Sequence, residues 1–486
     1  MSDIDLPPSA PILMESTRSI GYTTETAIAD IIDNSISANA ESIKIKSTYF
    51  ETAPFIAILD DGEGMTGNEL NEAMKYGSSN PLSQRKKNDL GRFGLGLKTA
   101  SMSQCRCLTV VTKKNNSIEA RRWDLDYINQ TQAWTLINLS ADKYENLPLL
   151  NELKIQTSGT LVVWTKLDRL IIGSESSALE RAFSDKMENV RDHISLVFHR
   201  YLEGEPGIQK IKMTLNENPI NAHDPFFSKR SFVTQDEEKI RVKGTDDVTD
   251  DVLVRSYVLP HPSTLSKDEL EMIGGKEGLK KNQGFYVYRN KRLLIWGTWF
   301  NLHRKEDLSK LSRIRVDIPN SLDDLWTLDI KKSTAIPPEI VRRNLKGIVN
   351  NNSTQSKKTW TYRGKKETND DLKNVWIKIT ERGETRYEIN REHPFVEIVS
   401  KNIDTETQKL FNLLLDQIGF NIPLYAIYDD FNSDKKFSMD DEDNIIKKAK
   451  DMISQIKSSD LTNEKKEEMI EVIRKTHPYT NYTEFF

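Results

Sequence analysis

The chain has 486 residues, 69 basic against 73 acidic side chains, and a formal net charge of -4. Its length suits about three domains, and its apolar content supports true cores. No apolar run approaches the ~18 residues of a membrane span, and Met-Ser-Asp-Ile-Asp-Leu-Pro-Pro has neither the basic region nor the apolar stretch of a secretory signal. A cytoplasmic protein without a membrane partner is expected.

From Thr24 to Ala40, Ala27, Ile28, Ile31, Ile32 and Ile36 fall at helical spacing. Asp30 and Asn34, four apart, share a polar face of that helix. Ser42 to Thr48 alternates like a strand, and Phe55 to Leu59 is the short apolar run of a buried strand. It stops at Asp60-Asp61-Gly62-Glu63-Gly64-Met65. A carboxylate at the end of a buried strand, followed by glycines that let the backbone turn, accepts a hydrogen bond from a ligand lying over the turn. An adenine amino group fits that acceptor. Residues 76–88 have the polar, basic composition of a loop, which leads into Gly91-Arg-Phe-Gly94-Leu95-Gly96 and the helix-like Leu97 to Met102. Glycines entering a helix N-terminus turn backbone N–H groups toward an anion, and the helix dipole adds to the attraction. Each segment alone is a weak signal; in this order and spacing they read as a nucleotide site.

Cys105 and Cys107 lack the further ligands of a zinc site and are expected as core thiols. The seven histidines show no metal-binding spacing. Ala178 to Tyr201 reads as helix, and Ile211 to Leu215, Val252 to Val258 and Gly284 to Ile295 as strands, the last holding an Arg289-Asn290 turn. Near the end of this region stands Trp326-Thr-Leu-Asp329-Ile-Lys331-Lys332-Ser333. Period-two alternation sets Asp329, Lys331 and Ser333 on one side of a strand and Lys332 on the other.

Residues 341–370, with the polar run Asn350 to Ser356, read as an exposed basic linker or a connecting helix with a frayed end. There Lys357, Lys358, Arg363 and Lys365 interleave with Trp360 and Tyr362, a mixture suited to nucleic-acid phosphates and base stacking. The acidic net charge supplies no global footprint for DNA, so both readings stay open. Val375 to Asn390 alternates around Arg382-Gly383 as a hairpin. Thr405 to Phe420, Asp441 to Lys457 and Asn463 to Thr476 carry helical spacing, and His393, before Pro394, is expected to be hydrogen-bonded rather than functional.

With Arg18-Ser-Ile-Gly21-Tyr22 and Ala27-Ile-Ala-Asp30-Ile-Ile-Asp33-Asn34-Ser35 ahead of the two glycine segments, the chain resembles the GHKL ATPases. That superfamily includes DNA gyrase B subunits, ninety-kilodalton heat-shock chaperones, histidine kinases and MutL. Within it, the likeness is to the MORC-like and MutL-like branch, in a bacterial-type stand-alone layout. The resemblance implies an α+β chain: a Bergerat-type α/β sandwich ATPase domain over 1–177, an S5-like transducer domain over 178–340, the basic linker 341–370, and a small α+β domain ending in helices over 371–486.

The same resemblance implies ATP and Mg2+ as cofactors. Asn34 is the metal ligand it implies, an oxygen donor suited to a hard cation. Asp60 reads adenine, with Gly62, Gly64 and Met65 forming the purine pocket and Thr160, in Thr157-Ser-Gly159-Thr160, supporting the contact. The lid runs from about Gly77 to Gly96 and includes Ser78 and Ser79; Gly94, Leu95, Gly96, Leu97 and Lys98 form its phosphate-facing end. Asp30 stands where relatives use a glutamate to activate water. Aspartate is one methylene shorter, so slow hydrolysis is expected; assistance from Asp33, and a binding switch with little turnover, are the alternatives. Lys332 or Lys331 is expected at the γ-phosphate.

The implied activity is a slow ATP-hydrolysing switch that dimerises on ATP binding, with residues 11–22 crossing to the second subunit. A clamp in bacterial DNA maintenance or anti-phage defence, with operon-encoded protein partners, is the expected role. The alternative is a chaperone-like scaffold that binds protein clients through its C-terminal helices without DNA. A histidine kinase is disfavoured because no phospho-acceptor histidine helix precedes the ATPase domain.

Overall fold

Thr23 caps the helix that the isoleucine spacing predicts. Its hydroxyl accepts from the Thr26 N–H and the Thr26 hydroxyl accepts from the Thr23 N–H, so the helix runs Thr24–Ser37. It is α2 of the computed structural model, after α1 (Ala10–Thr17). The residues described are 8–49, 54–77, 96–170, 176–233, 237–244, 248–274, 278–328, 335–361, 375–381, 384–423, 442–459, 461–475 and 479–485. The chain divides into two units, Met1–Tyr362 and Arg363–Phe486.

In the first unit, β1 (Ser42–Thr48) buries Ile43 and Ile45 and turns Lys44 and Lys46 outward. By contrast, β2 (Phe55–Asp60) buries every residue from Ile56 on, as a central strand covered on both faces must. With β3 (Cys107–Lys114), β4 (Ser117–Asp124), β5 (Ile137–Asn138), β6 (Gly159–Thr165), β7 (Lys212–Leu215) and β8 (Asn218–Pro219) they form a sheet in the order β5-β4-β3-β6-β2-β1-β7-β8. All neighbours pair antiparallel except β1 and β7. One face carries the large core, where Ile28, Ile31 and Ile32 of α2 meet Ile56, Ile58, Val162 and Trp164. Helices α3 (Gly67–Met74), α4 (Gly96–Gln104) and α5 (Ser176–Val197) contribute Met74, Met102 and Val190 to it. The opposite face holds a smaller core of Ala57, Leu59, Leu161 and Val163 under Leu150 and Leu153. This is the α+β sandwich expected. Cys105 and Cys107 are both buried and unpaired.

Ile211 to Leu215 departs from the sequence reading, which grouped it with the second domain. Its strand pairs parallel with β1 and extends the first sheet, because a four-residue strand carries no sequence signal for its partner. The second sheet comprises β9 (Phe232–Val233), β10 (Glu238–Lys243), β11 (Thr249–Val258), β12 (Gly284–Arg289), β13 (Arg292–Thr298) and β14 (Ser312–Ile318), in the order β10-β11-β14-β12-β13 with β9 on β11. The β12–β13 turn falls one residue later than expected, at Asn290 and Lys291, whose φ values of 47° and 66° are those of a tight two-residue hairpin.

Of the two readings of 341–370, an exposed linker and a connecting helix, the helix is the one observed over much of the length. Glu339–Thr361 is one helix, α6, whose Val341, Leu345, Ile348 and Val349 are buried in the core of the second sheet. The polar run that suggested a linker supplies inward groups: the buried Asn352 amide donates to the Tyr257 carbonyl (3.2 Å), and the buried Ser356 hydroxyl to that of Leu308 (2.9 Å). The side chains of Lys357, Lys358 and Trp360, and residues Tyr362, Arg363 and Lys365, lie outside the described residues.

The second unit holds the hairpin β15 (Trp376–Glu381) and β16 (Glu384–Ile389), then α7 (Pro394–Asn402), α8 (Thr405–Phe420), α9 (Glu442–Ser458) and α10 (Asn463–Lys475). The helix α7 was not expected. His393 caps it, its Nδ1 accepting from the Phe395 N–H, and Pro394 takes the first turn, where a missing N–H costs nothing. Ile453, Ile456 and Ile473 form a small core, while Leu410, Leu413 and Leu414 of α8 stay more than half exposed.

Because α6 seals the second sheet, Leu345→Ala is expected to destabilise the protein by about 2–5 kcal/mol. Arg343→Ala, on the exposed face of the same helix, should cost less than about 0.5 kcal/mol. Urea midpoints of the two variants compare them directly.

Candidate nucleotide-binding site

Asp60 ends β2 with its carboxylate buried. A buried carboxylate needs donors, and three reach it: the Gly62 N–H (3.0 Å) and Thr160 N–H (3.1 Å) on Oδ1, and the Ser35 hydroxyl (2.7 Å) on Oδ2. Burial nevertheless dominates and lifts the carboxyl to about 6; the bonds from Ser35, Gly62 and Thr160 pull it back down, and Asp61 pushes it up. Two bonds on Oδ1 and one on Oδ2 leave acceptor capacity for a ligand N–H. Its neighbour Asp61 is structural, accepting from the N–H groups of Glu41 (2.8 Å) and Ser42 (2.9 Å) at the start of β1.

The turn after Asp60 requires its glycines. Gly64 has φ +63°, and a Cβ there would lie 2.0 Å from the Lys113 carbonyl oxygen. At Gly62 a Cβ would come within 2.8 Å of the Ala38 oxygen. Met65 donates its N–H to the Thr112 hydroxyl (2.9 Å), which bonds the Gly159 carbonyl (3.0 Å) and lies 3.2 Å from the Thr160 hydroxyl. The turn, β3 and the start of β6 are thereby locked together, with Met65 half-buried against the large core.

On α2, Asn34 is exposed while Asp30 and Asp33 are buried. Tyr22 donates its phenol hydrogen to Asp30 Oδ2 at 2.9 Å. Gly96, the first residue of α4, sits so close that a Cβ would touch the same oxygen at 3.4 Å. The first and third segments therefore meet at one corner: a carboxylate, an exposed amide one turn on, and a helix N-terminus. Asp33 points elsewhere. Its carboxylate accepts from Arg292 Nε at 3.3 Å, at the start of β13.

Leu97 is half-buried against the large core. Lys98 is buried, donating to the carbonyls of Ala73 (3.0 Å) and Lys75 (2.9 Å) at the end of α3, and burial pulls its ammonium down to about 8. It thus ties the start of α4 to α3, a role that the resemblance did not suggest. Ser78, Ser79, Gly94 and Leu95, and the lysines Lys331 and Lys332, lie outside the described residues.

Tyr22, Ser35 and Thr112 carry contacts that sequence reading did not assign. Tyr22 and Ser35 stand inside the quoted segments and so were findable; Thr112 is one of several threonines in strands and gave no signal. Around them, Gln104 Nε2 donates to the Tyr22 carbonyl (3.2 Å) while its Oε1 accepts from Thr24 (3.0 Å). Arg18, also buried, donates to the Met102 carbonyl (2.7 Å) and pairs with Asp168 (2.5 Å). The segment expected to cross to a second subunit is here packed on its own domain, with Met14 fully buried.

The family described as histidine kinase-, DNA gyrase B-, and HSP90-like ATPase matches residues 22–160. ATPase morc-1 of Caenorhabditis elegans is 35% identical over 95 residues, 20% of this chain and 11% of that protein. MORC family CW-type zinc finger protein 3 of Mus musculus is 27% identical over 120 residues, 24% of this chain and 13% of that one. ATPase MORC2B of Mus musculus is 32% identical over 95 residues, 19% and 9% respectively. The aligned stretch spans about a tenth of each relative's length. Among the described residues, no group of histidine, cysteine and acidic side chains forms a metal cluster, and no helix is long and apolar enough to cross a membrane.

The raised carboxyl of Asp60 predicts a pH signature. The folded chain binds that proton more tightly than the unfolded chain, where the value is near 3.8. Its contribution to stability is therefore fully present below pH 3.8, is lost as pH rises toward about 6, and is flat above. The fall is on the order of 3 kcal/mol. Asp60→Asn should remove it from ligand-free denaturation midpoints measured between pH 4 and 7, and should abolish nucleotide binding.

Proposed function

We propose that this chain, whose residues 22–160 are a GHKL-type ATPase domain with MORC-like relatives, is a Mg2+-dependent, slow ATP-hydrolysing switch. The observation that carries the reading is the corner where Asp30, held by Tyr22, lies beside Gly96 at the N-terminus of α4, one helical turn from the exposed Asn34. Asp60 supplies the adenine acceptor across the same helix.

The residues fit the roles. Asn34 is the exposed oxygen donor among buried neighbours on α2 and would hold the metal. When bound, Mg2+ neutralises charge on the phosphate oxygens. The carboxylate of Asp30 takes the proton of the attacking water, and the phenol of Tyr22 orients it. Because an aspartate reaches less far than a glutamate, turnover is slow. The N–H groups at the start of α4 favour the phosphates, and Lys332 or Lys331 stabilises the γ-phosphate charge in the transition state.

ATP binding brings two copies together through the N-terminal segment. Support comes from α1, which anchors through Met14 yet leaves Ile12 70% exposed and Leu13 38% exposed. Adjacent exposed apolar side chains suit a contact surface. The family likeness favours a clamp in DNA maintenance or anti-phage defence, in the cytoplasm, with operon-encoded partners. A second reading, a scaffold for protein clients, is favoured by the exposed leucines of α8 and by an adjoining apolar groove of about 820 Å³ between Trp376, Tyr387 and Ile418.

Asp30→Asn is expected to cut turnover roughly 100-fold or more while ATP affinity stays within about threefold; unchanged turnover would remove Asp30 as the base. Asn34→Ala should lose Mg2+-dependent ATP binding in calorimetry. Of Lys331→Ala and Lys332→Ala, at least one should slow hydrolysis, and normal rates in both would exclude the lysine contact. Duplex DNA separates the two cellular readings: stimulation that falls steeply with salt fits the clamp, and no response at low salt fits the scaffold.

A further inference from the structure

Asp33 and Arg292 lie 259 residues apart in sequence, and both are buried, at 1% and 5% exposure. Arg292 opens β13 immediately after the Asn290–Lys291 turn, while Asp33 directly precedes Asn34 on α2. Arg292 Nε donates to Asp33 Oδ1 at 3.3 Å, and its Nη1 donates to the Leu293 carbonyl at 2.9 Å. The surroundings are apolar. The guanidinium lies 5.7 Å from the centre of the Phe198 ring, and the His193 ring of α5 lies 5.9 Å from that of Trp296 of β13, tilted at 57°. Burial and then the Arg292 charge hold the His193 imidazole down at about 3, with Asp33 opposing, so that imidazole is neutral. On the near side of the turn, the Tyr201 hydroxyl donates to the Asn290 carbonyl at 2.5 Å.

A buried ion pair is a poor way to gain stability, since well-packed apolar residues of similar volume do as well or better. What it fixes is register between two pieces of chain. On a rigid helix, Asp33 lies ~1.5 Å along the axis and ~100° around from Asn34. A rotation or slide of α2 that re-seats Asn34 therefore carries the Asp33 carboxylate with it. The contact at 3.3 Å is near the outer limit of a hydrogen bond, so a shift of a few tenths of an ångström strengthens or weakens that bond while the charges stay paired.

We infer that the Asp33–Arg292 pair is a positioning link through which nucleotide loading on α2 is felt by the β12–β13 hairpin of the second sheet. The inference rests on the nucleotide reading of α2. Neither residue touches the nucleotide; the pair sets the azimuth of the helix that does, and the hairpin, held by Arg292 and by Tyr201, receives the movement.

The test is hydrogen–deuterium exchange of the whole chain, with and without a non-hydrolysable ATP analogue and Mg2+, followed in peptides covering residues 284–298. The wild-type hairpin should exchange at least about fivefold more slowly or faster on analogue binding. The double variant Asp33→Asn/Arg292→Met, which removes both charges together, should bind the analogue within about threefold of wild type and lose the hairpin response. A variant hairpin that responds like wild type overturns the link, as does a wild-type hairpin that is silent while the analogue is bound. Absence of any analogue binding by wild type sinks the nucleotide reading itself, and this inference with it. Should the double variant not fold, Arg292→Lys keeps the charge without the Nε contact; its response should be at least halved, and a full response overturns the link.

Discussion

A carboxylate buried at the end of a central strand must find donors, and Asp60 finds them on three separate pieces of chain. Ser35 comes from α2, Gly62 from the turn, and Thr160 from β6. The site exists because these pieces are held against one oxygen pair. Once Asp60 is in place, Gly62 and Gly64 can pass under Ala38 and Lys113 with no side chain in the way, and α2 is fixed along its length. That in turn sets Asp30, midway along α2, beside Gly96 at the start of α4. The energetic tension is visible in the raised carboxyl: burial disfavours the charge, three donors recover part of the loss, and an adenine amino group would add one donor more.

Much of this was legible because the site is local in sequence. Asp30, Asn34, Asp60, Gly62 and Gly64 sit in short segments whose neighbours are periodic and apolar, so the elements that carry them could be read. Asp33, weighed as a reserve base, meets Arg292 from another sheet, and no periodicity announces a contact of that range. Lys98 was read by family likeness as a phosphate contact, whereas burial aims its ammonium at the end of α3. Polar composition left linker and helix undecided at Asn350 to Ser356, because a buried amide and hydroxyl with carbonyl partners look in sequence like a solvated linker.

The two large sheets of the first unit are joined by chemistry as well as by chain. Arg292 reaches α2, Tyr201 reaches the hairpin turn, and Trp296 packs against cores on both sides. The candidate site on α2 is therefore not isolated from the second sheet; the wall it leans on belongs partly to that sheet.

The parallel pairing of β1 with β7 has a bearing on how the chain is made. Its partner at residues 212–215 is synthesised long after β1 itself, and the family match closes at residue 160, before that partner begins. Until those residues leave the ribosome, β1 presents an open row of backbone N–H and C=O groups, an edge able to recruit a strand from a neighbouring chain. The alternating lysines Lys44 and Lys46 are the charges that discourage such recruitment, so the outward face of β1 serves a nascent chain as much as a finished one.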